Sequence, residues 1–135
     1  MQFLQDVFTE IAGLFPSQYI HIGGDECPKQ RWKECRACQA KIKELGIVPD
    51  KKHSAEQKLQ SYVMVSVEKF LAAKGRKVIG WDEILEGGLG PDATVHSWRG
   101  MGGAVEAVKQ GHDAILSPTS HCYFDYDQEK VTQID

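Results

Sequence analysis

The chain has 135 residues, the size of one ordinary domain. Its 41% hydrophobic content supports a core, while a net charge of −3 leaves no electrostatic footprint for nucleic acid or for an anionic membrane surface. No apolar run approaches the roughly 20 residues that span a bilayer, and the start MQFLQDVFTEIAGLF lacks a basic stretch followed by a continuous apolar one, so it does not read as a signal peptide.

The first element in the chain reads as a helix. Phe3, Val7, Phe8, Ile11, Leu14 and Phe15 recur at the 3–4 spacing of one apolar face, and Pro16 stops it. No capping residue precedes it, so the chain reads as starting inside an element. YIHIG (19–23) then reads as a short buried strand, and residues 29–45 as an amphipathic helix closed by Gly46. The run Ser-Ala-Glu-Gln at 54–57 is a capping-box pattern that opens a long helix with Leu59, Val63, Val67, Phe70 and Leu71 on its apolar face, ended by Gly75. KVIGW (77–81), TVHSW (94–98) and DAILS (113–117) follow as strands, with a helix over 103–110 between the last two. The twelve residues DEILEGGLGPDA between the second and third strands leave room for about one helical turn.

Short apolar strands alternating with helices predict an α/β fold with a parallel sheet covered on both faces. A complete (β/α)8 barrel needs about 250 residues. The chain is therefore read as a single segment, residues 1–135, of a partial TIM barrel with about four parallel strands and flanking helices, incomplete at both ends. The end VTQID adds no closing element.

The stretch HIGGDE (21–26) ends the first strand on two glycines and two acids. Successive strand residues point to opposite faces, so Asp25 and Glu26 serve one site only if the chain turns at Gly23–Gly24. Functional residues of parallel α/β proteins stand at the carboxyl ends of strands. Two carboxyls buried together there would not both ionise easily, which leaves one as a proton donor. A blander reading has Asp25 capping the next helix and Glu26 solvated in its first turn. The later strand ends weigh against it. They carry Trp81 with Asp82 and Glu83, then Trp98, then Tyr123 and Asp125. Aromatic walls with carboxylates at the rim suit a sugar ring, whose faces are apolar and whose edge is polar.

These residues resemble a known family. HIGGDE, with GWDE (80–83), SWRG (97–100) and YFD (123–125) downstream, is similar to the signature of the β-N-acetylhexosaminidases of glycoside hydrolase family 20. The resemblance runs over essentially the whole chain and implies that its strands are the fourth to seventh of the barrel. It further implies a substrate-assisted retaining hydrolysis, an exception to the usual two-carboxylate scheme. Asp25 would then orient the substrate acetamido group, and Glu26 would act as general acid and base. Trp81 and Trp98 would wall the acetamido methyl, Tyr123 would bind its oxygen, and Asp125 would bind outer hydroxyls. His21 would support the site from behind, and Glu83 would be either a rim contact or a helix-start charge. His96, His112 and His121 are read as structural or exposed.

The family's arginine near the first strand and the residues of its last strand have no counterpart here, and Arg99 stands at the wrong strand to replace that arginine. The isolated chain is therefore expected to be inactive or weakly active; the alternative is a non-catalytic sugar-binding or inert barrel segment. Implied partners are N-acetylhexosamine-containing glycans, with self-association through open barrel edges, and a periplasmic or secreted location follows from the family alone. No metal or cofactor is implied. The cysteines, Cys27, Cys35, Cys38 and Cys122, read as isolated thiols, with a zinc site near His53 or His121 and a Cys35–Cys38 redox or structural pair as alternatives.

Overall fold

A computed structural model describes residues 1–126. In chain order it contains α1 (Gln2–Leu14), β1 (Tyr19–His21), α2 (Gln30–Glu34), α3 (Arg36–Glu44), α4 (Ala55–Ala72), β2 (Lys77–Trp81), a 3-10 helix (Asp82–Leu85), β3 (Thr94–Ser97), α5 (Gly102–Lys109), β4 (Ala114–Leu116) and α6 (Thr119–Cys122). The stretch VTQID lies outside the described residues.

The four strands form one parallel sheet in the order β1-β2-β3-β4. Ile20 lies opposite Val78, Gly80 opposite Val95, and Val95 opposite Ala114. Alternation along each strand sends these residues to one face. There Ile20, Val78 and Val95 pack with Val67 and Leu71 of α4, Ile84 of the 3-10 helix and Ala107 of α5. The opposite face carries His21, Ile79, Trp81 and His96. Tyr19 and His21 at one edge and Ile115 at the other are exposed. Among the described residues, helices therefore cover one face of the sheet, not both as the apolar strands had implied.

The capping box forms as its spacing predicts. Gln57 N–H donates to Ser54 Oγ at 3.2 Å, and Ser54 N–H donates to Gln57 Oε1 at 2.8 Å. This satisfies two of the donors that a helix start leaves unpaired. Two other elements differ from expectation. The apolar residues of α1 do not share a face: Leu4, Phe8 and Ile11 pack on the core, whereas Phe3, Val7, Leu14 and Phe15 are exposed. The helix expected over 29–45 breaks at Cys35, whose ψ of 113° leaves the helical region and separates α2 from α3. The link after β2 does hold one short turn, the 3-10 helix. Arg76 ties α1 to the start of β1, donating to the carbonyls of Ala12, Pro16 and Ser17 at 2.7–3.0 Å.

Candidate active site

At the carboxyl end of β1 the ladder continues briefly past His21. Ile22 N–H donates to Ile79 O at 2.8 Å, and Trp81 N–H donates to Gly23 O at 2.9 Å. The chain then leaves the sheet through Gly23 (φ 72°) and Gly24 (φ 104°). Both angles favour glycine, and a Cβ on Gly24 would stand 2.7 Å from Ile84 Cγ2. Gln60 of α4 fixes the turn by donating to Gly24 O at 2.7 Å. Glu26 has φ 42°, in the left-handed region that a glutamate rarely adopts. Such strain persists where surrounding structure enforces it and is found most often at functional sites.

The turn brings Asp25 and Glu26 to one opening. With Trp81, Trp98 and Tyr123 they line a cleft of about 180 Å³. Both acids are exposed among the described residues, so the mutual burial expected of the pair is not what the structure has. Glu26 also borders a second cleft, of about 430 Å³, shared with Lys29, Gln60, Glu83, Glu86 and Arg99. Asp125 is exposed at the same end of the sheet but does not line the first cleft.

The aromatic walls are held from behind. Trp98 stacks near Tyr123 (centroids 6.4 Å apart, 25° between planes) and meets Trp81 edge-on at 6.4 Å. Its indole N–H donates to Glu83 Oε2 at 3.0 Å. Glu83 is 8% exposed, so it anchors Trp98 while also bordering the second cleft. Trp81 stacks on His96 at 4.3 Å and tilts against His21 at 4.7 Å. His21 Nδ1 accepts Gly23 N–H at 3.1 Å, and His96 Nε2 is paired with Ser117 Oγ at 2.7 Å. His96, read from the sequence as structural or exposed, is therefore the support beneath one wall of the cleft. Desolvation lowers the pKa of both imidazoles. For His21 the neighbouring His96 adds to the shift and Asp25 opposes it; for His96 the Asp82 charge opposes it. Tyr123 is shifted upward by desolvation and then by the charges of Asp125 and Asp25, which keeps its phenol a hydrogen-bond donor.

Asp82, which the sequence shows only as an acid beside Trp81, is a junction of the site. It is 2% exposed and accepts from Trp98 N–H (3.2 Å), Arg99 N–H (3.3 Å) and Arg99 Nε (2.5 Å), with Ser97 Oγ, whose proton goes to Gly100 O at 2.7 Å, lying 3.3 Å away. Arg99 also reaches Glu83 at 3.6 Å and Glu86 at 3.3 Å. One carboxylate thus joins the end of β2 to the turn after β3 that carries Trp98. Gly103 leaves room for it, since a Cβ there would lie 2.6 Å from Asp82 Cβ. The signal available in the sequence was an acid directly after one strand-end tryptophan and an arginine directly after the other.

The geometry is that of a parallel α/β sheet whose carboxyl edge presents two acids and three aromatic rings to one cleft. The glycosyl hydrolase family 20 catalytic-domain profile matches residues 1–135, and the chain belongs to that family. It is 49% identical over 132 residues to a beta-hexosaminidase of Porphyromonas gingivalis, covering 97% of this chain and 16% of that relative. A Vibrio furnissii beta-hexosaminidase is 36% identical over 129 residues, 95% of this chain and 20% of its own length. Among solved structures, the family 20 exo beta-N-acetylglucosaminidase of Vibrio harveyi in complex with N-acetylglucosamine superposes with a TM-score of 0.81 at 34% identity, covering 94% of this chain and 19% of that one. The beta-N-acetylhexosaminidase of Bacteroides fragilis gives a TM-score of 0.80 at 29% identity, covering 93% and 25%. The chain therefore spans about a fifth of the relatives it matches and corresponds to part of their barrel.

Proposed function

We propose that the protein carrying this chain hydrolyses terminal β-linked N-acetylhexosamine residues of glycans, and that residues 1–135 are one segment of its catalytic barrel. The observation that carries the reading is the cleft in which Asp25, Glu26, Trp81, Trp98 and Tyr123 meet, in a chain of this family. Support comes also from the relatives, which are named beta-hexosaminidases.

In this mechanism the substrate's own acetamido oxygen attacks the anomeric carbon while Glu26 protonates the departing glycosidic oxygen. Asp25 accepts the acetamido N–H, which orients the group and stabilises the positive charge that develops on it. Trp81 and Trp98 enclose the acetamido methyl, and Tyr123 donates to the acetamido oxygen. A water molecule, deprotonated by Glu26, then opens the oxazolinium-like intermediate at the anomeric carbon with net retention. Asp25 serves the internal nucleophile, and Glu26 serves the leaving group and then the water, which explains why two acids stand side by side. Asp125 binds outer hydroxyls of the terminal sugar, while Glu83 and His21 hold the rings in place.

Glu26→Gln keeps shape and removes the proton. Turnover of an N-acetyl-β-glucosaminide by the whole protein is expected to fall by about 10²–10⁴-fold, with binding of N-acetylglucosamine little changed. Full turnover in a properly folded variant would eliminate Glu26 as the acid, and a wild-type protein that binds the sugar without cleaving it would favour a binding role. We further propose that the isolated chain self-associates, because β1 and β4 are each paired on one side only among the described residues. Sedimentation at micromolar concentration should show dimers or larger species; a monomer would refute this.

A further inference from the structure

A second group of reactive side chains lies where α2 gives way to α3, outside the cleft. Cys35 is extended (φ −74°, ψ 113°) and forms the N-cap of α3, its sulfur accepting Cys38 N–H at 3.5 Å. Cys38 is then the third residue of the helix, the position that Gln57 holds opposite Ser54 in the other cap. Residues three apart on a helix have Cβ atoms about 5–6 Å apart, and a disulfide needs about 3.5–4.5 Å. The extended Cys35 stands outside the regular helix, with its sulfur turned onto the Cys38 N–H at the start of α3.

The environment makes the two sulfurs unequal. Cys38 N–H, then the Cys38 thiol, and more weakly the Ala37 backbone hold the Cys35 thiol below its ordinary range, against some desolvation. The neighbouring Cys35 sulfur pushes Cys38 the other way, with desolvation adding to it. The positive end of α3 favours the same thiolate. Neither sulfur is sealed. Both residues are half-buried, and Cys38 lines a groove of about 360 Å³ with Trp32, Lys41, Leu59 and Tyr62. Cys27 and Cys122 have no such arrangement: neither sulfur is a helix cap.

We propose that Cys35 and Cys38 form a thiol–disulfide exchange site, with Cys35 attacking, Cys38 resolving, and a small-molecule disulfide as co-substrate. Cys35 thiolate attacks one sulfur of R–S–S–R, the S–S bond breaks, and one RS⁻ leaves with the bonding pair. Cys38, after losing its proton to solvent, attacks Cys35 in the mixed disulfide and expels the second RS⁻. The protein dithiol is oxidised to a disulfide, and one R–S–S–R is reduced to two RSH once the leaving thiolates take up protons. The site is independent of the hydrolase reading.

The test exposes the chain to oxidised glutathione at neutral pH, quenches with acid, alkylates and maps peptides by mass. The expected product is an intramolecular Cys35–Cys38 link. In Cys38→Ser, glutathione should remain on Cys35, and in Cys35→Ser the adduct at Cys38 should form several-fold more slowly. Initial alkylation of the reduced protein should be several-fold faster at Cys35 than at Cys122. Serine can still accept the Cys38 N–H at the cap, and circular dichroism checks that each variant folds. Independent alkylation of all four thiols at similar rates, or links that join Cys35 or Cys38 to Cys27 or Cys122 instead, would overturn the proposal.

Discussion

At the scale of single residues, Asp82 concentrates more structure than either acid in the cleft. It is buried and accepts from three N–H donors, including the Arg99 side chain. Asp82→Ala leaves buried donors without an acceptor, and the cost expected is about 2–3 kcal/mol, toward the low end for a broken buried pair because Arg99 is half-exposed. Urea denaturation measures it, and tryptophan fluorescence should shift as Trp98 loosens; a loss below about 0.5 kcal/mol, the ordinary range for surface substitutions, would mean that the junction does not hold the turn. His21 and His96 make a second prediction. Both have pKa values depressed below 6.5 in the folded state. The unfolded chain therefore takes up protons first as pH falls. The stability they contribute is complete above pH 6.5 and is lost progressively below it, down through their folded values. Side-chain NMR titration of the two imidazoles gives the check, and a midpoint at or above 6.5 would contradict it.

At the scale of elements, α4 packs on the apolar face of the sheet. Leu71 is fully buried and Val67 nearly so, both against β1 and β2 residues in the core. Leu71→Ala should cost about 2–5 kcal/mol, and Ser54→Ala about 1 kcal/mol through the lost cap; thermal unfolding ranks the two, and a reversed order would show that α4 is held mainly by its start. This helix was legible in the sequence because its signals are local: a capping box, a 3.6-residue period and a terminal glycine. The strands were legible from their apolar runs, and the single turn after β2 from the length of its link. The break at Cys35 was not legible, since a cysteine cap mimics an ordinary helical position and no glycine or proline marks it. The split faces of α1 were hidden because a helix apolar on several sides gives no direction from period alone.

At the scale of the whole molecule, the site was read as a set of strand ends, and four of them do converge. Asp25, Glu26, Trp81, Trp98 and Tyr123 share one cleft although up to 98 positions separate them (Asp25 to Tyr123). Residue type and strand-end position were enough to expect that these five would meet. The supports were less visible, because their importance lies in what they touch. Asp82 looked like one acid among several until its donors were placed. His96 looked like a stray histidine until its ring was found on Trp81. Asp125, expected near them from its place just past the fourth strand, is exposed and does not line that cleft.

The Asp82 junction also bears on how such a protein can vary over descent. One carboxylate serves both the turn after β2 and the turn after β3, so the two loops are expected to vary together. A lineage that replaced Asp82 would have to rebuild the Trp98–Arg99 turn at the same time, and neither loop could be transplanted into a related barrel without the other.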